Sequence, residues 1–359
     1  MMKLSDFDYN YPEDLVAQQP LPTRDASRMM VVERASGSVR HSCVAKLGAE
    51  LREGDLLVVN DSRVIPARIF GQRGNGEKIE ILVVEPAPAK PDAWLCMIKR
   101  ARHFRAGEML FFGMQARAKV LGRSETFLMV EFKHGALELA MKHHGVPPLP
   151  PYIKRKGIEA YTDKDRERYQ TVYAIKPGSA AAPTAGLHLS DDMMVALEGK
   201  GISIARVTLH VGLDTFTPVR VDDLKDHRMH GERVEVSQDT ARAVSTARQE
   251  GRRVVAVGTT AVRALESAAQ EVPPAGAEGK FEWRAGAIAH GSWVTEIFIR
   301  PGHSFRAVDA LLTNFHQPRS TLLMLVSAFA GRELVLSCYE QAIRERYRLF
   351  SYGDCMLIL

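Results

Sequence analysis

The sequence predicts an α/β protein that carries a small all-β barrel or sandwich, and three observations lead to that prediction. The chain has 359 residues, which is too long for one ordinary hydrophobic core and fits two domains. Between residues 67 and 135, short stretches of alternating hydrophobicity are separated by Gly, Pro and Asn turns, as in a small barrel or sandwich. From residue 191 onward, helix and strand patterns alternate, which indicates a sheet layered with helices.

The β-rich region and the segment before it are predicted from short patterns. An apolar run lies within residues 55–61 and is followed by the polar residues Asn60-Asp61-Ser62-Arg63. We therefore expect a buried strand at 55–61. A proline-rich hinge at 145–152 ends the β-rich region. The expected barrel strands are KIEILVVE, AWLCMIKR, EMLFFG, ARAKVLG and FLMVEFK.

The layered part is predicted from helix caps and glycine stops. Ser190 is a good N-cap for a helix at 191–200 that Gly201 closes, and Ser237 or Asp239 caps a helix that Gly251 closes. The remaining expected elements are strands at 202–211, 253–257 and 292–299, a turn at 258–260, a helix at 261–270, a surface loop at 270–280, and helices at 321–330 and 333–346.

The charge of the chain permits an anionic partner without requiring one. Lys and Arg total 48 against 43 Asp and Glu, which gives a formal net charge of +5. Basic clusters lie beside aromatic residues at 99–105 and 344–348, and a third cluster lies at 154–156. Such clusters are either solvated surface or contacts to nucleic acid.

The cysteines and the apolar runs indicate a cytoplasmic protein. Four cysteines lie far apart with no CxxC pair and no zinc-like spacing, which favours a reducing compartment. The first residues contain no apolar signal segment, and the longest apolar run, at 322–330, is too short to span a bilayer.

A run of small residues, GSAAAPTAGLHLS at 178–190, is the first candidate site. Small residues let a ligand approach the backbone, and Thr184 and His188 offer polar groups at a helix N-terminus, which favours carboxylates and other anions. Tyr169, Gln170 and Tyr173 precede this run. The alternative is a tight interdomain turn that contains a structural histidine.

Two further histidine patterns are candidates. His210 lies near a strand end and is followed by Gly212 and Asp214, a place where α/β proteins often contact ligands. His227, His230 and Glu232 form an H-x-x-H pattern with a carboxylate, which fits a surface cluster, a metal site, or a proton shuttle or phosphate contact.

Two turns before helices complete the candidates. VVAVGTTAVR at 254–263 offers backbone donors and hydroxyls that could hold a carboxylate or phosphate, although many such turns bind nothing. In TNFHQPRS at 313–320, Asn314, His316 and Arg319 precede an apolar helix that Ser320 or Thr321 could cap. The sequence contains no P-loop, no Rossmann GxGxxG and no GxSxG motif, which disfavours the common nucleotide enzymes.

Seven motifs resemble one known family, the S-adenosylmethionine:tRNA ribosyltransferase-isomerases of queuosine biosynthesis. The motifs are NDSRVIPARIFG (60–71), PLPPYI (148–153), ERYQTVYAIKPGSAAAPTAGLH (167–188), VTLHVGLDTFTPV (207–219), HRMHGE (227–232), VGTTAVRALE (257–266) and TNFHQPRSTLLMLVSAF (313–329). The resemblance runs in one order from the start of the chain to its end. The sequence departs from the usual family pattern at Asp214, Leu189 and Gly231.

The resemblance implies a reaction and a domain plan. Family members transfer and isomerise the ribosyl part of S-adenosylmethionine onto 7-aminomethyl-7-deazaguanine at the wobble position of tRNA, and release adenine and methionine. S-adenosylmethionine is then a consumed substrate, and neither a metal nor another cofactor is expected. The implied fold is an α/β domain built from both ends of the chain, 1–66 and 149–359, with a β-barrel domain inserted at 67–148.

The reaction that the resemblance implies needs groups for proton transfer and for substrate binding, and the sequence offers candidates for both. The candidates for proton transfer are His188, taken first, and His210, His230 and His316. The candidates for substrate binding are Asp61, Arg63, Thr184 and Asn314, for ribose, carboxylate or base edges, and Tyr169, Gln170 and Tyr173, of which a tyrosine could stack on a base.

The expected partners are the modified tRNA and S-adenosylmethionine, with no membrane, and the expected assembly is a monomer. Two other function classes stay open at this point. One is a non-catalytic tRNA-binding module with structural histidines. The other is a metal-dependent hydrolase that uses His227 and His230.

Overall fold

The structure is a computed structural model, and it describes residues 2–87, 90–123, 127–212, 219, 221–270 and 287–359. The predicted surface loop at 270–280, apart from Gln270, lies outside the described residues, and so does Asp214.

The strands and α-helices are numbered in chain order. The strands are β1 (Arg28–Glu33), β2 (Ser38–Cys43), β3 (Leu56–Asn60), β4 (Ser62–Val64), β5 (Arg68–Arg73), β6 (Lys78–Pro86), β7 (Ala93–Ile98), β8 (Met109–Phe112), β9 (Ala116–Arg123), β10 (Phe127–Glu131), β11 (Gly145–Val146), β12 (Lys176–Ser179), β13 (Ser203–His210), β14 (Glu232–Val236), β15 (Val254–Val257), β16 (Gly291–Thr295), β17 (Ala310–Asn314) and β18 (Cys355–Ile358). The helices are α1 (Leu47–Glu50), α2 (Ala136–His144), α3 (Asp163–Arg168), α4 (Asp191–Gly199), α5 (Gln238–Gln249), α6 (Thr259–Ala268), α7 (Thr321–Ala330) and α8 (Arg332–Arg344).

A mixed sheet forms the centre of the larger part of the molecule. The described strands run in the order β16-β14-β13-β3-β15-β17-β18-β1-β2, and β13, β3, β15 and β17 are parallel neighbours. In β3, Leu56 and Val58 pack in the core that includes α5 and α6, while Leu57 and Val59 pack in the core that includes α4. A strand that is apolar on both faces therefore has helices on both sides, as the predicted layered sheet requires.

Both ends of the chain contribute to this sheet. The N-terminal strand β1 pairs in parallel with the C-terminal strand β18, and Met29 lies opposite Cys355 in the register. Because β3 also belongs to this sheet, the residues on either side of the β-rich region share one framework. The predicted α/β fold built from both chain ends is confirmed.

The second sheet closes into an antiparallel barrel. The described strands run in the order β11-β5-β6-β7-β10-β9-β8, and β5 also pairs with β8, which closes six strands on themselves. Alternate residues of β9, Ala116, Ala118 and Val120, are buried in a core that helix α2 also covers. The predicted barrel is confirmed, while the boundaries at 66/67 and 148/149 stay a prediction.

Most predicted boundaries agree with the structure to within two residues. Ser190 Oγ accepts a hydrogen bond from the N–H of Met193 at 3.3 Å, so the predicted cap of α4 is present. The helix expected from 261 begins at Thr259, because Gly258, with φ 88°, is itself the N-cap. The strand expected at 292–299 ends at Thr295, where its partner strand β14 begins.

No single helix among the described residues is long and apolar enough to cross a membrane. Helices α7 and α8 reach the necessary length only as a pair, and the chain bends by 113° between them. Much of the apolar surface of α7 is buried in the core beside the sheet.

Candidate functional site

A pocket lies where the carboxyl ends of parallel strands meet. Gly258 follows β15, Asn314 ends β17, and both line this pocket. A 3-10 turn at Thr184–His188 and the loop that contains Phe350 supply other walls. Ligands of α/β proteins bind at this edge of the sheet, since loops there are free to carry polar groups. We therefore take this pocket as the candidate active site.

Four of the predicted site residues line the pocket: Tyr169, Thr184, Asn314 and His316. Small residues between Ala181 and Ala185 also line the pocket, and they leave the backbone accessible from inside it. Apolar and aromatic surface comes from residues including Tyr152, Leu322 and Phe350. The pocket thus combines a small-residue wall, an aromatic wall and a few polar groups.

Asn314 connects the pocket wall to His188. The amide nitrogen of Asn314 lies 3.1 Å from Nε2 of His188 and 3.1 Å from the carbonyl oxygen of Phe350. With the amide donating to both, the neutral His188 ring carries its proton on Nδ1. The other amide atom, Oδ1, is buried and has no hydrogen-bond partner among the described residues. It can accept a hydrogen bond from a ligand.

His188 lies behind this wall. Its side chain lines a smaller neighbouring pocket together with Arg24 and Arg168, and it reaches the main pocket through Asn314. Burial, with a further contribution from Arg348 and Arg24, lowers the pKa of His188 to about 4. The histidine taken first from the sequence is therefore neutral at pH 7 and contacts a pocket residue.

His316 lines the main pocket directly. Its Nε2 lies 2.8 Å from Oγ1 of Thr313, and its backbone N–H donates to the hydroxyl of Tyr339 at 2.9 Å. Burial lowers the pKa of His316 to about 3. The ring is thus held in one orientation and is neutral at pH 7.

The two tyrosines and Gln170 differ in position. Tyr169 is fully buried and packs edge-on against Tyr352, with ring centroids 5.9 Å apart. Tyr173 packs against Gly186, where an added Cβ would lie 2.0 Å from the tyrosine oxygen. Gln170 binds the backbone of Val64 with both ends of its amide, at 3.0 and 3.2 Å. Only Tyr169 of the three lines the main pocket.

A second group of predicted residues lies at the ends of β3 and β13, outside the pocket lining. Asp61 accepts a hydrogen bond from Oγ1 of Thr208 at 2.7 Å, and Arg63 is exposed on β4. The ring of His210 packs on Gly178, where a Cβ would lie 2.9 Å from Nδ1. Burial, then the charge of Arg233, lowers the pKa of His210. The substrate contacts expected of Asp61 and Arg63 and the proton transfer expected of His210 stay predictions.

The H-x-x-H segment does not come together around a metal-like centre. His227 packs edge-on against Phe298 at 5.1 Å between ring centroids, and His230 is exposed. Among the described residues, no group of three or more His, Cys, Asp or Glu side chains is arranged to hold a metal ion. Glu232 instead pairs with Arg263.

The ion pair between Glu232 and Arg263 in the pocket was not predicted from the sequence. Both side chains are 7% exposed, and both residues line the pocket. They are far apart in sequence, on β14 and α6, so no local pattern joins them. One signal was available: Arg263 lies four residues after Thr259, on the helix face that begins at the pocket.

The end of the last motif is mainly structural. Ser320 Oγ accepts from the N–H of Leu323 at 3.2 Å and so caps α7, as one of the two interpretations predicts. Arg319, with φ 57°, forms an ion pair with Asp8 at the surface. The polar residues of this segment that line the pocket are Thr313, Asn314, His316, Gln317 and Ser320.

Comparisons with known proteins decide the family. A family model described as a queuosine biosynthesis protein matches residues 4–358. The S-adenosylmethionine:tRNA ribosyltransferase-isomerase of Anaeromyxobacter sp. (strain Fw109-5) is 49% identical over 360 residues, which are 99% of each chain. This chain belongs to the queuosine biosynthesis protein family.

Other members of the queuosine biosynthesis family agree in length and fold. The relative of the same name from Carboxydothermus hydrogenoformans is 47% identical over 360 residues, and both chains are covered completely. A crystal structure of S-adenosylmethionine tRNA ribosyltransferase from Thermotoga maritima is 34% identical with a TM-score of 0.54, covering 99% of this chain and 100% of that one. The resemblance in the seven motifs is therefore confirmed.

Proposed function

We propose that this protein transfers and isomerises the ribosyl group of S-adenosylmethionine onto 7-aminomethyl-7-deazaguanine at the wobble position of tRNA. The products are epoxyqueuosine in the tRNA, adenine and methionine. The observation that carries the proposal is full-length similarity, at 49% identity, to a relative with this activity in its name. The protein is accordingly an enzyme, a transferase of queuosine biosynthesis.

The reaction makes three demands on the pocket. The sulfonium acidifies the C5′ protons of S-adenosylmethionine, and a base that takes one of them starts the loss of adenine from C1′. The departing adenine takes up a proton, the amine of the modified base then bonds to the sugar, and methionine leaves as the epoxide forms. A base, an acid and exclusion of water are therefore needed.

The positions of the histidines support a division of roles. His316 lines the pocket directly, so its ring can face the reacting atoms of a bound substrate. A neutral ring also avoids repulsion from the sulfonium cation. His188 contacts Asn314 instead, which supports a positioning role for His188. We therefore assign proton transfer to His316 and the orientation of Asn314 to His188.

S-adenosylmethionine is consumed as a substrate, and the proposed reaction uses no cofactor. Each turnover then releases one adenine and one methionine.

The basic residues at 99–105 are candidates for binding the tRNA, since Lys99, Arg100 and Arg102 are exposed on the barrel. We expect the protein to act as a monomer on one tRNA.

The release of adenine tests the proposal. Purified protein is incubated with S-adenosylmethionine labelled in adenine and with tRNA that carries 7-aminomethyl-7-deazaguanine. The same tRNA with guanine at the wobble position is the matched control. We expect free adenine only with the modified tRNA. A non-catalytic tRNA-binding module would bind that tRNA without any release, and this result would refute the proposed function.

A further inference from the structure

Arg263 is a buried cation with part of its hydrogen-bonding capacity unused. The residue is 6% exposed, and its Nη1 donates to the buried carboxylate of Glu232. Its Nε and Nη2 are buried and have no hydrogen-bond partner among the described residues. A buried charged group with unsatisfied hydrogen-bond donors costs free energy. Because Arg263 lines a pocket, an acceptor on a bound ligand can satisfy these donors.

The unused nitrogens are neighbours on one edge of the guanidinium. Nε and Nη2 point two parallel N–H bonds in the same direction, which matches the two oxygens of a carboxylate. Glu232 occupies the opposite end, and its Oε1 accepts the backbone N–H of Gly212 at 3.2 Å. The carboxylate of Glu232 therefore fixes the guanidinium and leaves the two-pronged edge open.

A helix N-terminus lies beside this edge. Helix α6 has ten residues and starts after Gly258, which offers no side chain to cap it. Its first backbone N–H groups have no acceptor within the helix, and the helix dipole favours an anion there. Oγ1 of Thr260 is buried and has no partner among the described residues. Thr259, Thr260 and Arg263 all line the pocket.

We propose that Arg263 and the N-terminus of α6 bind the α-carboxylate of S-adenosylmethionine. This inference rests on the proposed function, because it assigns a place to one group of that substrate. The carboxylate is a planar anion with two oxygens, as the open edge requires. The apolar and aromatic wall with Leu322 and Phe350 is left for the uncharged adenosine part. Glu232 is a positioning residue for Arg263.

Two ribosyl donors that differ only in the carboxylate test the inference. Adenine release is measured with the modified tRNA and either S-adenosylmethionine or decarboxylated S-adenosylmethionine. A hydrogen-bonded charge contributes roughly 1.5–3 kcal/mol, so kcat/KM of the wild type should favour the carboxylated donor about 10- to 100-fold. In Arg263→Gln, the ratio of the two kcat/KM values should fall to about 1.

Two further variants keep the test interpretable. Glu232→Gln/Arg263→Gln removes both charges, leaves no unpaired buried carboxylate, and should also give a ratio of about 1. Arg253→Gln is the matched control, because Arg253 pairs with the buried Asp55 at the other end of β15 and lies outside the pocket lining. Its donor ratio should equal that of the wild type.

The outcomes separate the inference from the proposed function. If the wild type is active and the donor ratio is unchanged in Arg263→Gln or in the double variant, the inference fails while the proposed function stands. The inference also fails if Arg263→Gln weakens tRNA binding while the donor ratio is kept, since Arg263 would then contact a phosphate. A wild-type protein that releases no adenine overturns the proposed function and this inference with it.

Discussion

The side-chain amide of Asn314, at the end of β17, lies 3.1 Å from Nε2 of His188 in the turn Thr184–His188. The same amide nitrogen lies 3.1 Å from the carbonyl oxygen of Phe350. Three segments that are distant in sequence are thus joined at one pocket residue. The amide oxygen that remains has no hydrogen-bond partner among the described residues and can accept a hydrogen bond from a substrate.

The two residues should act as one unit in catalysis. His188→Ala and Asn314→Ala are each expected to lower kcat/KM for ribosyl transfer by at least about 100-fold, because the first change releases the Asn314 amide from its orientation and the second removes it. The double variant should be little worse than either single variant, as for coupled residues. Steady-state assays of adenine release provide the values, and circular dichroism checks the fold.

Losses that multiply in the double variant would contradict this coupling. If His188→Ala stays within a few fold of the wild type, His188 has no part in the mechanism. His316→Ala is the useful comparison. Loss of a proton-transfer residue should lower kcat by the same factor whether or not His188 or Asn314 is also replaced.

The free energy of unfolding should fall as the pH drops below about 6.5. In the folded protein the pKa of His188 is lowered to about 4 and that of His316 to about 3, whereas an unfolded histidine has a pKa of about 6.5. Between these values the unfolded chain binds more protons, so stability is full above pH 6.5 and is lost toward pH 4. The loss is on the order of 3 kcal/mol for each histidine at pH 4.

Urea unfolding at a series of pH values measures this dependence. His316→Gln cannot titrate in this range and should give a shallower slope than the wild type between pH 6.5 and 4. Equal slopes for the two proteins would show that His316 is not buried in its neutral form.

Gln170→Ala should lower stability more than it lowers the rate of catalysis. The amide of Gln170 makes two hydrogen bonds to the backbone of Val64, so their loss should cost about 1–3 kcal/mol. The free energy of unfolding and kcat/KM are compared at a temperature where the variant stays folded. A large rise in KM for either substrate without loss of stability would instead support the substrate contact predicted from the sequence.

Binding of tRNA should weaken with salt, and the barrel should contribute to that slope. Lys99→Ala/Arg102→Ala removes two exposed charges and should reduce the slope of log K against log salt by about 1 for each phosphate that is no longer neutralised. Arg242→Ala, on the exposed face of α5, is the control and should leave the slope unchanged. An affinity that is flat between low and moderate salt would count against the basic clusters.

Local patterns were sufficient for much of the fold. The barrel strands alternate inside and outside, so each appears in the sequence as a period of two, as in β9. The caps at Ser190 and Ser237 have a short-range cause, a hydroxyl that accepts a nearby N–H. The pairing of β1 with β18 has no local signal, and the family resemblance predicted only that both ends of the chain build the α/β domain.

The site was predictable only in part for the same reason. Asn314 and His316 stand together in one polar segment, so composition alone marked them. The partner of Arg263 is Glu232, on another element, and sequence spacing placed Glu232 only beside His227 and His230, in a surface cluster, a metal site, or a proton shuttle or phosphate contact. Whether a histidine lines a pocket or lies behind it depends on packing, which separates His316 from His188.

Nucleoside analysis of the product tRNA tests whether the protein catalyses the proposed reaction. The protein is incubated with S-adenosylmethionine and tRNA that carries 7-aminomethyl-7-deazaguanine, and the digested tRNA, free adenine and free methionine are quantified by mass spectrometry. We expect epoxyqueuosine, adenine and methionine in equal amounts. Loss of S-adenosylmethionine without epoxyqueuosine, or no loss while the tRNA is bound, would refute the proposed reaction.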